Sequence, residues 1–74
     1  MDAQTPPSDD EAERLQQLIQ VRFGGRVREF LVQVRGGGLV LQGKAGSFHV
    51  KQMVQETVIA ATTFRVAANA IEVD

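Results

Sequence analysis

Between Phe30 and Ser47 the chain reads FLVQVRGGGLVLQGKAGS, two alternating apolar runs on either side of three glycines. No other stretch narrows the possible folds as much, because period-two alternation around a glycine cluster is the signature of a β-hairpin. In the first run Phe30, Val32 and Val34 share one face, with Glu29, Leu31, Gln33 and Arg35 on the other. In the second, Leu39, Leu41 and Gly43 face one way and Val40, Gln42 and Lys44 the other. A turn centred on Gly36-Gly37 pairs Arg35 with Gly38, Val34 with Leu39, Val32 with Leu41 and Phe30 with Gly43. That register puts both apolar sets on one face. Gly43 then leaves room for the Phe30 ring across the strand.

The flanking segments supply helices. Ser8 or Asp9 can cap a first helix whose opening turn carries Asp10, Glu11 and Glu13, which suits the helix dipole. Ala12, Leu15, Leu18, Ile19 and Phe23 (or Arg22) follow at helical spacing, with Arg14, Gln16, Gln17 and Gln20 opposite, until Gly24-Gly25 stops the helix. Strand 1 is expected over residues 26–35 and strand 2 over 39–45. Ser47 caps a second helix with an apolar stripe of Phe48, Val50, Met53, Val54, Thr57, Val58 and Ala61, while Lys51, Gln52, Gln55 and Glu56 face water. Thr62-Thr63 ends it. A last strand, 66–73, turns Asn69, Ile71 and Val73 inward and Ala70 and Glu72 outward.

The order is αββαβ. With one apolar face on each element, the expected fold is α+β, a two-layer αββαβ sandwich with both helices on one face of a three-stranded mixed sheet. The strand-helix-strand crossover makes strands 2 and 3 parallel. Residues 1–7, with Pro6-Pro7, read as a disordered N-terminal tail, and residues 8–74 as a single domain.

The matched positions resemble a known module, the BON domain, a small αββαβ domain of bacterial proteins. Val32-Gln33-Val34 through Gly38-Leu39-Val40-Leu41-Gln42-Gly43 is similar to its V-x-V-x-x-G-x-V-x-L-x-G pattern. Val66-Ala67-Ala68-Asn69-Ala70-Ile71-Glu72-Val73 is similar to its closing V-x-x-V-x-N-x-I-x-V. Two departures stand out: Phe64-Arg65-Val66 replaces a Gly-Val pair before the last strand, and Ala67-Ala68-Asn69 lacks the second valine. The resemblance implies a non-enzymatic interaction module that contacts phospholipid surfaces or another protein, with structural roles for Gly38, Gly43 and Asn69.

Chemistry-bearing patterns are few. The chain has no cysteine and one histidine, His49, so thiolate sites and the common zinc frameworks are excluded and no metal or cofactor is expected. No nucleophile, base and orienting acid can be assembled from Ser8, Ser47 and His49, so no enzyme activity is expected. Asn69 reads as a structural hydrogen-bonder rather than a ligand. Gly36-Gly37-Gly38 is no phosphate loop, since no Gly-Lys-Ser/Thr follows it. Gly43-Lys44-Ala45-Gly46 imitates the GxxG loop of KH domains, but a strand precedes it and no Trp, Tyr or outward Phe is expected to stack on bases. Nucleic acid is therefore the weaker alternative.

Two surfaces remain. Arg22, Arg26, Arg28, Arg35, Lys44 and Lys51 fall in a segment whose only acid is Glu29, and they are the candidate contacts for an anionic surface. Leu31, Val40 and Ala70 fall on the sheet face that two helices leave open, and they are the candidate face for a protein partner or a homodimer. The first residues have neither a basic nor an apolar signal region, and no run approaches the roughly 20 apolar residues of a membrane span. A cytoplasmic location is the resulting expectation.

Overall fold

The Ser8 hydroxyl accepts the Glu11 N–H at 3.3 Å, and the Ser8 carbonyl accepts the Ala12 N–H at 3.1 Å, which starts α1 (Asp9–Phe23). The computed structural model describes residues 8–74; the tail expected over 1–7 lies outside the described residues. Asp9, Asp10 and Glu11 occupy the first turn, where carboxylates face the positive end of the helix dipole. Ala12, Leu15, Ile19 and Phe23 are buried on one side, as the spacing predicts. The helix closes on Gly24, whose N–H donates to the Gln20 carbonyl, and a 3₁₀ turn over Gly24–Arg26 leads into the sheet. Arg26 belongs to that turn rather than to the first strand.

β1 (Val27–Arg35) and β2 (Gly38–Ala45) form the antiparallel hairpin. Gly36 and Gly37 hold φ of 55° and 78°, the two left-handed positions that a two-residue hairpin turn demands. From Arg35↔Gly38 down to Leu31↔Gln42 the register is the expected one. Below it the ladder resumes at Arg28↔Lys44. Glu29 and Phe30 together oppose Gly43, so the simple Phe30–Gly43 pair is replaced by a β-bulge. The bulge resets parity: Val27 and Phe30, three residues apart, both reach the core, which unbroken alternation forbids. A Cβ on Gly43 would lie 3.1 Å from both the Arg28 carbonyl oxygen and the Phe30 Cα, so the bulge needs glycine on the facing strand.

α2 (Phe48–Ala61) starts on Ser47, whose hydroxyl accepts the Val50 N–H at 3.2 Å, and returns the chain to β3 (Val66–Val73), parallel to β2. The sheet order is β1-β2-β3, which leaves β1 and β3 as its edges. Leu15 and Ile19 of α1, Val54 and Val58 of α2, and Leu39, Leu41 and Ile71 of the sheet are all fully buried in one cluster. Both helices therefore cover the same face, and the fold is α+β with a three-stranded mixed sheet. Each such aliphatic side chain contributes about 2 kcal/mol on burial. Two expected inward residues turn out differently. Phe48 precedes the first helical turn that reaches the core and is 70% exposed, and Val73 sits at the open end of the edge strand, also exposed.

Candidate interaction surface

The uncovered face of the sheet is built by register. One row across it is Leu31–Gln42–Ala70, and the next is Gln33–Val40–Ala68. Leu31, Val40 and Ala70 are thus brought onto one surface, in adjoining rows. Leu31 is 48% exposed there. A shallow concavity of about 310 Å3 opens beside it, lined by Glu29, Leu31, Gln42, Lys44, Ala70 and Glu72. Its charges are mixed: Lys44 lies opposite Glu72 in the register, and its Nζ is 4.0 Å from the Glu29 carboxylate. Glu29 itself holds φ of 55° in the bulge, a left-handed conformation that a side chain with Cβ adopts at a cost of roughly 1–2 kcal/mol. Its carboxylate lies at the rim of the concavity.

The six candidate cations do not form one patch. Arg28 is ion-paired with Asp74 and Lys44 faces Glu29, both at the open face. The Arg26 guanidinium lies 5.6 Å from the centre of the Phe23 ring, and the Lys51 ammonium 5.5 Å from that of Phe48. Arg22 lines the groove between the helices, and Arg35 sits at the hairpin end. Five different parts of the surface share the charge that the sequence groups in one segment.

The residues with structural roles are held at crossings. Gly38 is buried, and a Cβ there would lie 3.2 Å from the Arg65 carbonyl oxygen and 3.3 Å from the Ala67 Cβ, where the chain from α2 enters β3. The Asn69 amide nitrogen donates to the Lys51 carbonyl at 3.2 Å and to Gln55 Oε1 at 3.0 Å, while its oxygen accepts the Ile71 N–H at 3.2 Å. Its amide nitrogen ties β3 to α2, and its oxygen binds the β3 backbone two residues on. Gln55, expected to face water, is half-buried for that reason.

Sequence reasoning missed a second feature, a groove of about 540 Å3 between Arg14, Leu18 and Arg22 of α1 and Met53, Glu56 and Ala60 of α2. At its end, Arg14 donates to the Ala61 carbonyl at 2.7 Å and to both oxygens of Glu11, at 2.8 and 3.1 Å. Hydrogen bonds from Arg14 first, then from Thr62, hold the Glu11 carboxyl below its ordinary value of 4.5. The i, i+3 spacing of Glu11 and Arg14 was the available signal; the reach to α2 had none.

His49 is exposed on the first turn of α2, and among the described residues no three His, Cys, Asp or Glu side chains are placed to hold a metal ion. Lys44 and Ala45 pair with both β1 and β3, and Gly43 pairs with Ile71 of β3 while facing the bulge, so these residues belong to the sheet rather than to a phosphate-binding loop. Phe48 is an outward Phe after all, contrary to expectation. Among the described residues no helix is long and apolar enough to cross a membrane. Compared with protein-family models, curated proteins and solved structures, the chain matches none.

Proposed function

We propose that this chain is a non-enzymatic interaction module of the BON type that presents its open sheet face to a protein partner. The observation that carries the reading is the Leu31–Gln42–Ala70 row, an apolar-edged strip left uncovered while both helices pack on the other face. Lys44, Glu29 and Glu72 rim the strip with both signs of charge. Such a rim suits a protein surface with its own mixed charges better than a uniformly anionic one. The dispersal of the six cations weighs the same way, because counterion release and steering both need cations on one face.

The test is site-specific photo-cross-linking in cells from position 31, with position 21 on the far side of α1 as control. A discrete adduct from position 31 alone, abolished by Ala70→Arg, is the expected result. Co-sedimentation with phosphatidylglycerol vesicles is measured in parallel on the full chain. Salt-sensitive binding that survives Leu31→Glu and disappears in the Arg26→Glu, Arg28→Glu double variant overturns the reading in favour of an anionic lipid surface.

A further inference from the structure

Among the described residues α2 has a neighbouring helix on one flank only. Met53, Thr57 and Ala60 turn toward the α1 groove, and Val54 and Val58 point into the core. On the opposite flank, Gln55 takes the amide of Asn69 on β3, and among the described residues no strand lies beyond β3. Along this flank run Phe48, Gln52, Gln55 and Ile59, spaced i, i+4, i+7 and i+11, which is one continuous stripe of an α-helix. Phe48 is 70% exposed and Ile59 52% exposed. No charged residue lies on the stripe itself; the Lys51 ammonium borders it, 5.5 Å from the centre of the Phe48 ring.

The stripe reads the same in both directions: bulky apolar, amide, amide, bulky apolar. An antiparallel second copy of the helix therefore sets Phe48 against Ile59 of the second copy and Gln52 against its Gln55, and the two-fold axis repeats each contact. Self-complementarity of this kind is what a two-fold interface requires, and a partner of different sequence gives no reason for it. We infer that two copies of this chain associate by antiparallel packing of α2 against α2 through Phe48, Gln52, Gln55 and Ile59. Helices lying side by side in one layer are exchanged by an axis along the layer normal. The open sheet faces of both copies then look the same way. The inference stands on a different surface from the proposed docking face and does not depend on it.

Sedimentation equilibrium of the full chain from low micromolar to near-millimolar concentration tests it. The expected mass rises from the 8.1 kDa of one chain to twice that value. Phe48→Gln and Ile59→Gln each raise the dissociation constant at least about tenfold, because each removes both of the apolar contacts that the two-fold axis repeats. Phe48→Lys and Ile59→Glu are each monomeric alone, with melting temperatures matching the parent chain at low concentration. Their equimolar mixture dimerises again, because the introduced ammonium meets the introduced carboxylate at one contact while Ile59 meets Phe48 at the other. A parent chain that stays at the monomer mass throughout overturns the inference. So does a mixture that stays monomeric, or a dimer that Leu31→Glu dissociates and the Phe48 variants do not.

Discussion

Thr62 donates its hydroxyl proton to Glu11 Oε2 at 2.7 Å, joining the first turn of α1 to the residue that ends α2, fifty-one positions later. The same hydroxyl oxygen accepts the Phe64 N–H at 3.3 Å, and Arg14 bridges Glu11 to the Ala61 carbonyl. α2 has no basic residue in its own last turn, so the guanidinium that faces its negative end comes from α1. The cluster ties the start of α1 to the end of α2.

Thr62→Val keeps the volume of the side chain and removes the hydroxyl, and the expected loss is about 1 kcal/mol in urea unfolding at neutral pH. The Glu11 carboxyl is held below its ordinary value in the folded chain, so its contribution is fully present above about pH 4.5 and is lost as pH falls through the lower folded value. The stability gap between the parent chain and Glu11→Gln therefore narrows below pH 4.5. A gap that is flat from neutral to acid pH refutes the linkage.

Gly43→Ala is expected to cost about 2–3 kcal/mol, because φ of 148° and the approach of the Arg28 and Phe30 backbone leave no space for a methyl group. Glu29→Asn is expected to go the other way by roughly 0.5 kcal/mol, since asparagine tolerates the left-handed conformation better. Paired urea titrations measure both. Equal midpoints for the parent and Gly43→Ala would show that the bulge is not the conformation in solution.

The bulge also marks the limit of what the residues disclose in advance. Alternation of Phe30, Val32 and Val34 reads as an unbroken strand, and only Val27, out of step with Phe30, hints at an extra residue. The hairpin from Leu31 to Gln42, the α1 stripe and the parallel return of β3 were legible because each rests on a repeating pattern. Phe48 was misplaced because hydrophobicity alone assigned it to the core stripe; its position on the helix wheel, beside Gln52 and Ile59, puts it on the opposite flank. The open-face residues were legible from parity. The dispersal of the cations was not, since neighbours in sequence separate once the chain turns at Gly24, Gly36 and Gly46.

Asn69→Ala deletes the bonds to Lys51, Gln55 and Ile71 together, and the expected cost is about 2 kcal/mol. In a domain of this size each kcal/mol lowers the melting temperature by roughly 4–8 °C, so calorimetry resolves the effect easily. An unchanged melting temperature removes the structural role of Asn69 and reopens it as a ligand.

Asn69 has a counterpart on the other side of the sheet. Gln16 of α1 accepts the Val32 N–H of β1 through Oε1 at 2.9 Å, so a side-chain amide occupies a main-chain donor on each edge strand. An edge donor left open is a template for another strand, and native sheets suppress it with charges, bulges or covering groups. Gln16→Leu preserves the helix and the bulk of the side chain but leaves the Val32 N–H unanswered. The expected outcome is faster hydrogen exchange at Val32 and faster growth of light scattering on warming, with a stability loss of only about 1 kcal/mol. The bulge at Glu29 and Phe30 still interrupts β1, which confines the exposed template to the residues above it. Scattering that grows no faster in Gln16→Leu than in the parent chain would show that this bulge alone guards the edge.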